Sequence, residues 1–204
     1  MKKIIIFVIM LIFSAPRLYA AVGCDLNDPD RDVKRLFPGS TGFKTIYVSI
    51  DRKGGQPMLQ RIEKRLGDSF HGLYETIDVP YTLYEIYRGK EKIGYIHGVN
   101  QKGQYGGIQV FLSLDLKGVI RSLYFQKLTN REAALLRSPA FGIQFTGLTL
   151  GSFNGYDVKT GTATQGPVAA IRNPAAGAEQ DFRATLRAVK KNLILMDEFV
   201  FGSR

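Results

Sequence analysis

Tyr81-Thr82-Leu83-Tyr84-Glu85-Ile86-Tyr87 is dense in β-branched and aromatic residues and runs into Arg88-Gly89-Lys90-Glu91, a turn. A second strand-forming run covers residues 93–99, followed by a Gly-rich connection over 101–106. Residues 108–114 and 119–126 give two more, separated by Asp115-Leu116-Lys117-Gly118, a hairpin signal with Gly at its end. Parallel strands need a crossover of a dozen or more residues, and none of these connections is long enough. The stretch therefore reads as an antiparallel meander.

Helical signals flank it. Asn27 or Asp28 caps a short helix that has Pro29 at its first position and Val33, Leu36 and Phe37 on one face. Asp28, Asp30 and Asp32 alternate, but the Gly and distal Glu of a calcium loop are missing. Residues 43–50 alternate as a strand, 51–57 form a turn-rich break, and 58–66 an amphipathic helix stopped by Gly67. Thr129 is placed to cap a helix over 130–137, which Pro139 stops, and 141–145 reads as one more short helical turn. Residues 179–200 form a long helix. Its apolar stripe is Phe182, Leu186, Val189, Leu193 and Met196, with Arg183, Arg187 and Lys190 outside. Consecutive strands with flanking helices predict the α+β class, an antiparallel sheet (meander) with a long C-terminal helix. The glycine fingerprint of a dinucleotide-binding crossover is absent.

The first segment reads as a secretory signal peptide over residues 1–21: a basic start, an apolar run over 4–13, and an exit with small residues at Ala20 and Ala21. Ala21-Val22-Gly23-Cys24 also resembles a bacterial lipobox, so two outcomes are open: plain cleavage into a periplasmic protein, or lipid anchoring through Cys24. Residues 22–78 are expected to form an N-terminal extension, and 79–204 the main domain. Cys24 is the single cysteine, which excludes an intrachain disulfide. The whole chain carries +10; without Lys2, Lys3 and Arg17 it holds 25 Lys and Arg against 18 Asp and Glu, a net +7. The excess is spread out, with no basic run suited to nucleic acid; it reads first as a solvated basic surface and, more sharply, as attraction to anionic lipid headgroups or an acidic redox partner.

Asp157-Val158-Lys159-Thr160-Gly161-Thr162-Ala163-Thr164-Gln165-Gly166-Pro167 is a small-residue, hydroxyl-rich loop. It leads into an expected helix start at Pro167, where free backbone N–H groups would suit a phosphate. Upstream lie Lys102-Gly103-Gln104-Tyr105-Gly106-Gly107 and Phe141-Gly142-Ile143-Gln144-Phe145-Thr146-Gly147. In that order and spacing, residues 81–171 resemble the FMN-binding domain found in the flavin-carrying subunits of the Rnf and sodium-translocating NADH:quinone reductase complexes. In that family a flavin transferase esterifies the FMN phosphate to the last Thr of a motif like Asp-x-x-(Ser/Thr)-Gly-Ala-Thr. Asp157, Thr160 and Gly161 fall on the pattern; Thr162 is an added residue, and Ala163 and Thr164 complete it.

The resemblance implies FMN, covalent through Thr164, with Thr162 as the competing acceptor. It implies that Gly161, Thr162 and Ala163 allow close approach, that Asp157 orients the loop, and that Lys159 offsets phosphate charge. Tyr105, Gly106 and Gly107 would meet the ring, and Gln144 would bond its edge or else cap local backbone. The implied function is exported, envelope electron transfer to a redox partner protein. The alternative is a flavin-free binding or assembly module of the same fold. His71 and His97 have no metal-ligand spacing, and no nucleophile motif is present, so hydrolysis has no positive support.

Overall fold

The computed structural model describes residues 23–202, so the segment read as a signal peptide lies outside the described residues. Five strands form one antiparallel sheet in the order β1-β2-β3-β4-β5: β1 (Gly42–Val48), β2 (Tyr81–Arg88), β3 (Glu91–Gly103), β4 (Gly106–Leu114) and β5 (Ile120–Lys127). The fold is α+β, as the run of short connections requires. β1 comes from residues 22–78 and pairs along β2 from Gly42↔Tyr87 to Val48↔Tyr81, so both parts of the chain share one sheet. The turn after β4 is held by Asp115, whose carboxylate accepts the N–H groups of Lys117 and Val119, and by Gly118 at φ +81°.

The two faces of the sheet are covered differently. Helix α1 (Pro29–Leu36), capped by Asp28, lays Val33 and Phe37 on Tyr84, Ile86, Ile96 and Phe111. Gly98 admits the Phe111 ring, which a Cβ would meet at 2.4 Å. On the other face α2 (Ile50–Leu66) and the long C-terminal helix α5 (Glu179–Met196) bury Ile62, Leu66, Leu186, Val189 and Leu193 against Leu83, Val99, Val110 and Leu112. Burial of that many aliphatic side chains, at about 1.5–3 kcal/mol each, dominates the stability of the fold.

Several boundaries differ from the sequence reading. Helix α2 starts at Ile50 behind a Ser49 cap, and the expected break shrinks to a kink at Gly55 (φ 58°, ψ −147°). The 130–137 helix is reduced to α3 (Ala133–Leu136). Its approach is held by Asn130, whose Oδ1 accepts the Glu132 N–H at 2.8 Å, and not by Thr129. A short α4 (Pro139–Gly142) and a 3-10 turn (Ile143–Phe145) follow. The C-terminal helix closes as a π-helical turn over Asp197–Phe201. At Pro167 the chain makes one 3-10 turn, Pro167–Ala170, and then becomes extended at Ile171. No helix N-terminus is offered to a phosphate there.

Candidate functional site

The hydroxyl-rich loop is a hairpin. Strands β6 (Tyr156–Asp157) and β7 (Thr162–Ala163) pair Tyr156↔Ala163 and Asp157↔Thr162. Asp157 builds the turn: its Oδ1 accepts the N–H groups of Lys159 (2.8 Å) and Thr160 (3.3 Å), and its carbonyl accepts the Gly161 N–H at 2.9 Å. Those backbone donors hold the Asp157 carboxyl below the usual carboxylate range. Gly161 sits at φ +72°, and a Cβ there would meet Arg183 Cδ at 2.7 Å. A side chain at this position is thus excluded twice, by backbone conformation and by contact.

The threonines differ in what their hydroxyls do. Thr160 Oγ1 and Thr162 Oγ1 bond each other at 2.7 Å. Thr164 is exposed; its N–H points to the Gly155 carbonyl at 3.4 Å, and its hydroxyl has no hydrogen bond among the described residues. Ala163 is half-buried between these two exposed threonines. Lys159 is exposed and lines a shallow cleft with Glu63, Lys64 and Asp68 at the end of α2.

The other two expected segments meet the same helix end. Tyr105, 57% exposed, sits at the tip of the β3–β4 hairpin. That tip is fixed to α5 by Asp181, whose Oδ1 accepts the Gln104 N–H at 2.7 Å and whose Oδ2 accepts Asn130 Nδ2 at 2.6 Å. Gly106 (φ +127°) is open to its surroundings, whereas the space over Gly107 is filled by Tyr74, whose hydroxyl a Cβ would meet at 2.5 Å. Gln144 uses both ends of its amide on one residue: Oε1 accepts the Arg172 N–H at 2.7 Å and Nε2 donates to the Arg172 carbonyl at 3.2 Å. It therefore braces the segment that leaves the Pro167–Ala170 turn.

Glu179, Asp181 and Arg183, all in the first turn and a half of α5, gather these pieces. Arg183 donates from Nη1 to the Thr160 carbonyl (3.1 Å) and from Nε to Glu179 Oε1 (2.7 Å). Glu179 Oε2 accepts from Asn173 Nδ2, next to the Gln144-braced Arg172, at 3.1 Å. An open cleft of about 450 Å³ lies between, lined by Gln104, Gly177, Glu179, Gln180 and Arg183. These three α5 residues were not expected from the sequence. The i,i+4 spacing of Glu179 and Arg183 was the one local signal available.

Further along α5, Arg187 and Lys190 are buried, contrary to their expected outward placement, and Lys191 is fully buried. For Arg187 and Lys191 the reason is that loop 67–80 covers this flank of the helix and supplies Glu75; Lys190 instead meets the base of the threonine hairpin. The Glu75 carboxylate accepts from Arg187 (2.5 and 3.1 Å), from Lys191 Nζ (2.6 Å) and from the His71 N–H (3.1 Å). Arg187 also reaches Asp68 Oδ2 (3.0 Å) and Gln101 (2.7 Å). Against the penalty of burial, Lys191 and Arg187 hold Glu75 at about 2. Burial pushes Lys191 below its ordinary value, an effect that Glu75 partly offsets. His97, fully buried and bonded through Nδ1 to Asn192, is pushed down to about 4 by desolvation. Lys190 Nζ donates to the Tyr156 carbonyl at 2.9 Å, which anchors the base of the threonine hairpin to α5.

Cys24 is buried beside Tyr81, and burial pushes its thiol up. Among the described residues, no group of three His, Cys, Asp or Glu side chains is placed to hold a metal ion, and no helix is long and apolar enough to cross a membrane. No protein-family model matches the chain, and a search of curated proteins finds no relative.

Proposed function

We propose that this chain is an exported FMN-carrying electron-transfer protein that holds the flavin phosphate at Thr164. The observation that carries this reading is the state of the Thr164 hydroxyl. It is exposed and without a hydrogen bond among the described residues, while Thr160 and Thr162 engage each other. It sits on a hairpin whose shape Asp157 and Arg183 fix. A modifying transferase needs an accessible acceptor on a loop of defined shape. The residues fit the group: Thr164 would supply the phosphoester oxygen, and Arg183 and Lys159 would offset the phosphate charge. The flavin, when bound, supplies the redox chemistry, and the protein positions it and excludes competing reactions. Tyr105 and Gly106 at the β3–β4 tip are the surface offered to the ring. The family resemblance rests on the quoted motifs alone.

Cys24 favours plain cleavage over lipid anchoring. A thioether lipid at that sulfur would have to leave a site that is 1% exposed, beside a Gly23 carbonyl held by Asn100 Nδ2 at 2.8 Å. Cleavage after Ala20 or Ala21 leaves those contacts intact.

The test is to produce the exported protein in a host with an active flavin transferase. Absorption bands near roughly 370 and 450 nm are expected. One FMN-phosphoryl unit should stay with the denatured chain by intact mass. Thr164→Ala should abolish that adduct, and Thr162→Ala should keep most of it. A colourless protein would reject the reading and favour the flavin-free envelope module.

A further inference from the structure

We propose that the outer edge of β1 pairs antiparallel with the same strand of a second copy of this chain, so that the sheet continues across a two-fold axis. This inference does not depend on the flavin.

The sheet order leaves β1 and β5 at its edges. The β5 edge is covered by the chain's own residues 138–148. Thr146 Oγ1 donates to the Arg121 carbonyl at 3.2 Å; the Gly147 N–H donates to the Ile120 carbonyl and the Leu148 carbonyl accepts the Ile120 N–H, both at 2.8 Å. β1 has no such cover. Among the described residues, no hydrogen bond reaches the main chain of residues 42–48 from outside β2. The flanking residues also bond on the β2 side, with the Thr41 N–H on the Tyr87 carbonyl at 2.8 Å and the Asp51 N–H on the Ile77 carbonyl at 3.0 Å. In an antiparallel ladder every second residue turns its N–H and C=O towards a given neighbour, so the alternate residues of β1 hold theirs outward. Such a row is a template for one more strand, and the devices that blunt an edge are missing here. β1 holds no proline, and its pairing with β2 runs from Gly42↔Tyr87 to Val48↔Tyr81 without a bulge. Lys44 is its one charge.

The sequence of β1 selects the occupant. Outward-turned residues must face outward-turned residues, so a two-fold pairing is centred on a residue and not between two. Thr45 is the middle of the strand, and centring there pairs every residue: Gly42 with Val48, Phe43 with Tyr47, Lys44 with Ile46, and Thr45 with itself. Thr–Thr and aromatic pairs stabilise directly opposed positions. Centring one residue earlier sets Lys44 against Lys44, which is destabilising, so the lone charge helps fix the register. Phe43, Thr45 and Tyr47 share the α1 face with Ile86, Tyr84 and Thr82, their partners on β2. Phe43 is half-buried, edge-on to Tyr84 at 5.8 Å, whereas Tyr47 is 62% exposed. The second copy's Phe43 covers that ring, and the reverse, as an isologous interface requires. On the other face the two Lys44 side chains are diagonal neighbours, and Glu85, opposite each on β2, offsets their charge.

Sedimentation of the full exported chain tests this, at about 0.15 M salt so that the net positive charge of both copies is screened. Monomer and dimer should exchange in the micromolar range, because one strand pair is a small interface. Thr45→Lys and Thr45→Glu each set like charges on the axis and should weaken self-association by about 5–10-fold. An equimolar mixture of the two variants should associate at least about fivefold more tightly than either alone, because opposite charges then meet on the axis. Misfolding cannot produce that recovery, and melting curves verify the fold of each variant. A chain that stays monomeric at about 100 µM, a dimer that neither variant weakens, or a mixture no tighter than its components overturns the proposal. So does a monomeric chain that binds an alternating Thr–Val octapeptide, which would assign the edge to another protein.

Discussion

Glu75→Gln isolates the buried charge cluster. In the native chain the Glu75 carboxylate faces two cations, Arg187 at 2.5 Å and Lys191 at 2.6 Å, and it is 5% exposed. Removing one partner of a buried ion pair costs about 3–5 kcal/mol, because the remaining charge stays buried without compensation. Arg187 keeps Asp68 at 3.0 Å and Lys191 keeps the Asn100 carbonyl at 2.8 Å, so the lower end of that range applies. With a urea slope of about 2 kcal/mol/M, a loss of about 3 kcal/mol lowers the midpoint by about 1.5 M. The pH dependence carries a second signature. In the native chain Glu75 titrates at about 2, below its ordinary value. Its contribution is therefore complete above the unfolded carboxylate pKa, about 4.3, and is lost as pH falls through the folded value. The variant lacks this acid limb. Lys191, already pushed down by burial, then loses its offsetting anion. The unfolded chain consequently binds more protons than the folded one at alkaline pH, and stability of the variant rises with pH up to the unfolded Lys pKa, about 10.4. Urea melts of both proteins across pH measure this. A cost under about 1 kcal/mol, or a flat alkaline profile, would refute the assignment of uncompensated buried charge.

Four further outcomes are expected. Gly161→Ala should destabilise by about 1–2 kcal/mol through its left-handed backbone, and the displaced Arg183 should raise hydrogen exchange at the Thr160–Thr162 amides; an unchanged exchange pattern would show that Arg183 does not hold the hairpin. The buried Cys24 thiol should react with a maleimide only as fast as the chain unfolds, so complete native labelling within minutes would mean that residues 23–26 do not dock. His97 should stay neutral in the folded chain down to about pH 4 by NMR titration. Because its folded pKa is depressed, the unfolded chain takes up the proton first, and stability falls as pH drops from about 6.5 towards the folded value; a normal titration would contradict its burial. Reoxidation of the reduced flavin by an acidic partner should slow as salt rises, since steering is screened over about 10 Å at 0.1 M; a flat rate would reject electrostatic docking.

The sheet was legible because its evidence is local. Strand formers between turns at Arg88-Gly89 and Asp115–Gly118 leave no room for a crossover, and the observed antiparallel pairing of consecutive strands follows from that, although the bulges at Ile86/Tyr87, Gln109/Val110 and Ser113/Leu114 do not. The stripe Phe182, Leu186, Val189, Leu193 and Met196 was equally plain, because 3.6-residue periodicity reports which side meets the sheet. Periodicity is silent on what covers the remaining flank. Arg187 and Lys190 look solvent-facing from α5 alone. The burial of Arg187 depends on Glu75, more than a hundred residues away in a loop without periodic pattern, and that of Lys190 on the Tyr156 carbonyl at the base of the threonine hairpin. Helix length fails for a related reason at Pro167. The proline is a sound start signal, but continuation is decided by Gln144, which clamps Arg172, and by Pro174, which biases Asn173 away from the helical region.

That difference changes the physical basis for binding an anion at the hydroxyl-rich loop. The sequence points to a helix dipole at Pro167; the fold provides one 3-10 turn there, with too few aligned peptides to sum to a useful charge. What remains near Thr164 is a hairpin whose donors are already turned inward to Asp157, together with one guanidinium, Arg183, fixed between Thr160 and Glu179. Phosphate recognition by diffusion alone would be weak in such a place, because few free N–H groups are aimed outward and the cleft is open to water. A covalent phosphoester does not need a strong non-covalent cradle. It needs an accessible hydroxyl and a loop stiff enough to present it, and the Asp157 turn, the Arg183 bond to the Thr160 carbonyl and the Lys190 anchor at Tyr156 supply that stiffness. The geometry therefore suits a tethered phosphate better than a reversibly bound one, and equilibrium dialysis of the unmodified chain with free FMN should show little retention where the modified chain keeps its colour through denaturation.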